Sequence, residues 1–183
     1  LLLLTAACQP DGVTRTRTPK GVAAPQMAGA VPGTAEALPP PPDLDAPAAL
    51  KWTLPAGWTE TRPGGMRVAT IVPAVQGKVE VSVIVLPGLA GGELSNVNRW
   101  RGQVGLAAID EPTLAATRQT VASRAGPVAL FDFTSEDQTK SRMVAGLLAT
   151  AENTWFVKML GDPDAVAAAR PGFVHLLQSV HIE

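Results

Sequence analysis

The segment Thr154-Trp155-Phe156-Val157-Lys158-Met159-Leu160 constrains the fold of this chain more than any other stretch. Side chains alternate at period two along an extended chain, which puts Trp155, Val157 and Met159 on one side and Phe156 and Leu160 on the other. A strand that is apolar on both faces has to be covered on both faces. The sequence around it must therefore build layers above and below a sheet.

The remaining elements follow from periodicity. Lys51 to Leu54 reads as a short first strand closed by Pro55-Ala56-Gly57, and Met66 to Val72 as a second. In Lys78 to Leu86, Val79, Val81, Val83 and Val85 alternate with Lys78, Glu80, Ser82 and Ile84, and Ala74-Val75-Gln76-Gly77 joins the two strands as a hairpin. A glycine-rich loop, Pro87 to Gly92, leads into a helix over Glu93–Gln103 and a second over Glu111–Thr117. Gln119–Ser123, Pro127–Thr134, Arg142–Thr150 and Thr154–Leu160 form an antiparallel meander, with a turn at Ser135 to Lys140. A closing helix starts at Asp162, which suits an N-cap, with Pro163 at the first helical position and Asp164 at the positive end of the dipole. Its apolar stripe is Val166, Ala169, Phe173, Leu176, Leu177 and Val180, and Pro171 is expected to kink or split it. The fold class is α+β, an antiparallel sheet flanked by helices.

Upstream of this domain the chain has a different character. Leu1 to Ala7 followed by Cys8 reads as the remnant of a signal peptide, in which a cysteine at the cut site can carry a lipid. Thr5 holds the place where a lipobox has leucine, and Leu4 lies one residue further out, so the match is partial. A diacylglyceryl group on the Cys8 thiol would anchor durably, each buried methylene contributing about 0.8 kcal/mol. In a simple secretory signal the same cysteine would be an ordinary residue. Residues 9–49 hold nine of the seventeen prolines, including Pro39 to Pro42. Such composition cannot bury enough apolar surface to offset chain entropy, so it reads as a disordered tether, with a docking site for a proline-binding partner as the alternative.

The 134 residues from Leu50 to Glu183 suffice for one domain with a core. They contain twelve Lys plus Arg and twelve Asp plus Glu, which leaves no electrostatic footprint for nucleic acid. The domain has no cysteine and only two histidines, His175 and His181, without the spacing of a zinc site, so neither a metal nor another cofactor is expected. A Ser-His-Asp arrangement could draw on Asp132 and either histidine, but no Gly-x-Ser-x-Gly elbow accompanies them. Gly88, Gly91 and Gly92 could cradle an anion at a helix start, yet Glu93 places a negative charge there and a flexible loop is the simpler expectation.

Three segments carry a resemblance: Leu54-Pro55-Ala56-Gly57-Trp58, Asn96-Val97-Asn98-Arg99-Trp100-Arg101-Gly102-Gln103, and Thr154 to Lys158 continuing through Phe173 to Ser179. Together they resemble an uncharacterised group of bacterial envelope lipoproteins whose architecture is similar to the Mog1/PsbP-like fold, an α/β/α sandwich. The resemblance spans Leu50 to Ile182 and implies an assembly or binding protein rather than an enzyme.

The helix at Glu93 offers the best candidate surface. At about 100° per residue, Leu94, Val97, Trp100 and Val104 share an arc that should face the sheet. Arg101 falls in the same arc and needs a carboxylate or carbonyl partner, or must snorkel past the helix end. Asn96, Arg99 and Gln103 line up beside Trp100 as a polar row that could bind a carboxylate, a sugar or a partner's backbone; a solvated face is the bland alternative. Trp52, Trp58 and Trp155 are expected in packing roles. The expectation is thus a non-catalytic protein-binding or assembly module, lipid-anchored at the envelope and facing the periplasm or exterior, with an envelope protein as partner. A hydrolase of envelope components and a small-ligand domain with a cleft between sheet and helix stand as alternatives.

Overall fold

The computed structural model describes residues 49–135 and 141–183. Cys8, the proline-rich segment through residue 48 and the 136–140 part of the expected turn lie outside the described residues. A seven-stranded antiparallel sheet forms the middle layer. In chain order its strands are β2 (Thr59–Thr61), β3 (Arg67–Val72), β4 (Val79–Pro87), β5 (Gln119–Ser123), β6 (Gly126–Thr134), β7 (Arg142–Ala149) and β8 (Asn153–Gly161). Their spatial order is β2-β3-β4-β8-β7-β6-β5.

The two-sided strand β8 lies inside this sheet. It pairs with β4 from Val79↔Gly161 to Pro87↔Asn153, and with β7 from Arg142↔Gly161 to Ala149↔Thr154. Trp155, Val157 and Met159 join the core beneath helix α3 (Pro163–Ser179), which supplies Val166, Ala169, Phe173, Leu176 and Leu177. Phe156 faces the opposite layer, α1 (Glu93–Gln103) and α2 (Glu111–Thr117), which supplies Val97, Trp100 and Leu114. Trp100 meets Phe156 edge to face, with ring centroids 5.4 Å apart at 86°. The α/β/α layering expected from the pattern of β8 is therefore present.

Four local features depart from the sequence reading. Leu160 was expected under cover but is 38% exposed, because the α1–α2 layer rests on β6, β7 and the first part of β8 and stops short of it. The opening strand is only β1 (Leu50–Lys51); it pairs with β9 (His181–Ile182), so the two ends of the domain meet. Neither β9 nor β2 is long enough to show a period. Asp162 occupies the N-cap position without capping; its Oδ2 instead accepts from the backbone N–H of Lys78 at 2.8 Å, tying the end of β8 to the start of β4. Finally, Pro171 does not split α3, which is one continuous helix through Ser179. The proline is exposed, and buried residues on both sides of it hold the helix to the sheet.

Gly172, next to that proline, has a packing reason. A Cβ there would stand 2.8 Å from the indole of Trp58, which closes over the helix after the turn at Gly57 (φ 77°) and its Trp58 N–H to Pro55 C=O bond of 3.1 Å. Helix propensity alone would favour Gly172→Ala by about 1 kcal/mol. Chemical denaturation should instead show this variant destabilised by about 1 kcal/mol or more through overpacking. The same change made in a Trp58→Ala background should be stabilising.

Candidate functional site

Helix α1 is positioned by the loop before it. Gly88 donates its N–H to Glu152 C=O at 2.7 Å and accepts from Thr154 Oγ1 at 2.6 Å. Buried Asn96 reaches back to donate Nδ2–H to the carbonyls of Ala90 (2.8 Å) and Gly92 (2.7 Å), and Ala90 itself is held at φ 48°. The loop expected to be flexible is thus tied to both β8 and α1. Glu93 does occupy the helix start, paired with Arg118 at 3.0 Å.

The loop and the asymmetric helix layer together leave a cleft of about 390 Å³ between α1 and the sheet. Its floor is Ile84 and Leu86 from β4 and Phe156 from β8, and Trp100 closes the back. Met66 and Arg67 form the side opposite the helix, while Arg99 and Lys158 complete the rim. No residue of β2 or β3 belongs to the core under α1–α2. Met66, in the turn before β3, is 67% exposed at the side of the cleft, and beyond it the sheet is bare on this face, with Val72 50% exposed.

The electrostatics of the cleft are one-sided. Arg67 has a carboxylate, Glu80, at 2.9 Å. Arg99 has none among the described residues: its Nη2 donates to Asn96 Oδ1 at 2.6 Å, and its guanidinium sits 6.0 Å from the centre of the Phe156 ring. Lys158 Nζ donates to Gln103 Oε1 at 3.0 Å and likewise faces no carboxylate among the described residues. Burial first, and then the charges of Arg99 and Arg67, hold the Lys158 ammonium below the ordinary lysine value. Cations this close to one another, above an apolar floor, attract an anion.

The residues singled out in the sequence divide accordingly. Arg99 and Trp100 line the cleft, Gln103 orients Lys158, and Asn96 fixes the loop while bracing Arg99. Arg101 points elsewhere, donating Nε–H to Ala107 C=O at 2.7 Å with its guanidinium 5.9 Å from the Phe133 ring centre. Sequence reasoning did not single out Ile84, Phe156, Arg67 or Lys158. One signal was available for the last of these, a lysine in the middle of an otherwise apolar two-faced strand.

The imagined triad is not brought together. Asp132 on β6 is claimed by Arg142 at 2.8 and 2.7 Å and by Arg170 at 3.2 Å. His175 is exposed on α3, and His181 sits beside Ser179 C=O at 3.0 Å and Glu183 at 3.6 Å. Trp155 is core, Trp58 packs at its margin, and Trp52 donates its indole N–H to Glu60 at 2.8 Å beneath Arg62.

No family model and no curated protein matches the sequence. Among solved structures, the chain is similar to cyanobacterial PsbP (CyanoP) from Synechocystis sp. PCC 6803, at TM-score 0.44 and 13% identity over 74% of this chain and 94% of that one. It is also similar to a protein from Bacteroides thetaiotaomicron, at TM-score 0.43 and 12% identity over 73% of this chain, and it spans only 45% of that structure's length. Likeness of this degree concerns the fold, and no site residue is carried over from either.

The Asp132 cluster yields a test of its own. Burial would raise the carboxyl, but hydrogen bonds and charge from Arg142 and then Arg170 outweigh it, so the group is held below the ordinary carboxylate value. Its contribution to stability is complete above the unfolded-state value and fades as pH falls through the lower folded-state one. Asp132→Asn should cost about 1.5–3 kcal/mol at pH 7. Unfolding titrations should also show a shallower loss of stability below about pH 4 than in wild type.

Proposed function

We propose that this chain is a non-catalytic binding module, held at the cell envelope by a lipid on Cys8 and a proline-rich tether, whose ligand seats in the cleft between α1 and the sheet. The observation that carries the reading is the cleft itself: an apolar floor left open beside α1, with Arg99 and Lys158 on its rim unmatched by any carboxylate among the described residues. Interiors are otherwise packed without such gaps, and a pocket of a few hundred Å³ with a few convergent polar groups is the usual form of a ligand site. The Asn96–Gln103 row, considered above as a docking face, is turned to other work. Asn96 is buried within α1 against the loop before it and braces Arg99, and Gln103 holds Lys158, so the row supports the cations on the rim of the cleft. The anchor rests on the sequence around Cys8 alone.

A second reading, docking of an envelope protein on the same face, draws on Val72 and Leu160, exposed on the part of the sheet that α1 and α2 leave bare, and on Met66 in the turn before β3.

Each half of the proposal has its own test. In cells expressing the chain behind a complete signal sequence and fed an alkyne fatty acid, the wild type should carry the label and fractionate with membranes. Cys8→Ser should do neither, and an unlabelled wild type would remove the anchor. For the cleft, the neutral apolar dye Nile red should bind the purified chain saturably at one site. Ile84→Trp, which fills the floor, should abolish that fluorescence; an undiminished signal would place the dye elsewhere and remove the cleft from consideration.

A further inference from the structure

We propose that the cleft selects a single-chain anionic amphiphile, a compact anionic head on an apolar body of moderate length, with the head received by Arg99 and Lys158 and the body lying on Ile84, Leu86 and Phe156. The inference deepens the reading just given and rests on it.

Four observations point to this chemistry. First, the floor is apolar and the rim basic, so the site divides into two zones that match the two ends of an amphiphile. Second, the basic groups are supplied by different elements, Arg99 by α1 and Lys158 by β8, and they converge on the same cleft. Each is fixed by a neutral amide, Asn96 Oδ1 at 2.6 Å and Gln103 Oε1 at 3.0 Å. An amide oxygen orients a cation without cancelling its charge, whereas a carboxylate would neutralise it. Third, Arg67 shows the contrast within the same rim: its charge is largely matched by Glu80 at 2.9 Å, so Arg99 and Lys158 carry the excess. Fourth, the volume of about 390 Å³ lies near the small end for ligand pockets, which suits one short chain.

Burial and two neighbouring cations also disfavour the charged form of Lys158, a cost that folding alone does not require. An anion in the cleft removes the repulsion and replaces the lost hydration with charge-assisted hydrogen bonds. The arrangement is the one expected where a site is kept for binding at some expense in stability.

The test measures binding of decanoate, decanol and decyltrimethylammonium to the purified chain by calorimetry and by thermal shift. Decanoate should bind one per chain, at least tenfold more tightly than decanol, with decyltrimethylammonium weaker still. Acetate, the head without a body, should give no detectable shift. Lys158→Met and Arg99→Gln should each weaken decanoate at least tenfold while leaving decanol within about twofold, a tenfold change being about 1.4 kcal/mol. Lys158→Met should at the same time raise the melting temperature of the unliganded protein, a direction that loss of folding cannot produce. Arg67→Gln should have the smallest effect of the three. Equal affinity for decanoate and decyltrimethylammonium, or decanoate binding indifferent to Lys158→Met, would overturn the proposal. If Nile red still occupies the cleft in that event, the binding-module reading stands and only the anionic preference falls. If neither Nile red nor any decyl compound binds, both fall together.

Discussion

Burial of one strand on both faces organises this domain. β8 carries Trp155, Val157 and Met159 into the core under α3 and Phe156 into the core under α1, and both cores contain residues of its neighbours β4 and β7. Large aromatic side chains contribute most to a small core, and here they sit back to back on one strand. Every other element is arranged around that demand. The meander β5–β8 brings three strands up on one side of β8, the β3–β4 hairpin completes the other, and α3 follows directly on β8 through Asp162. Gly161 makes this junction possible, since a Cβ there would collide with the backbone of Lys78 and Val79.

The same demand, met unequally on the two faces, produces the cleft. α3 is 17 residues long and its core reaches from β3 across to β5. α1 is 11 residues and α2 only 7, and their core stops at the edge of β4. The helix layer is too short for the sheet it covers. Phe156 is roofed by Trp100, while Ile84 and Leu86 next to it remain half-covered and Val72 and Met66 beyond them are open. The cleft arises here because the second layer ends part-way across an apolar surface.

Much of the fold was legible because its elements are long and strongly patterned. The α3 stripe Val166, Ala169, Phe173, Leu176, Leu177 and Val180 is buried throughout, and the α1 arc of Val97, Trp100 and Val104 lies on the sheet as its spacing requires. What stayed hidden depends on partners distant in sequence. β9 has two residues and exists only because β1 lies opposite it. Gly172 looks like a helix defect until Trp58, more than a hundred residues earlier, is placed against it. The candidate site was half legible for the same reason. Arg99 and Trp100 could be found from one helix, but the cleft also needs Arg67 from β3, Ile84 from β4 and Lys158 from β8, which only the crossover pairing of β4 with β8 brings together. Asn96 was misjudged as surface because its partners, the carbonyls of Ala90 and Gly92, belong to a loop whose path the sequence does not specify.

Two clusters of charge in this domain show what structure alone would select and what it would not. Around Asp132, two guanidiniums converge on one carboxylate through three hydrogen bonds, and attraction outweighs the cost of partial burial. Around Lys158, the balance has the opposite sign: burial and like charge act in the same direction, and the nearest stabilising contact is an amide. A methionine at position 158 would suit the apolar run of β8 better on packing grounds alone. Burial and like charge disfavour the charged form of this lysine, on a strand otherwise made for burial, and it is this imbalance that the proposed anionic head would relieve. The neutrality of the domain as a whole then conceals a division, with one basic cluster built around a carboxylate and the other, at the mouth of an apolar cleft, held by amides.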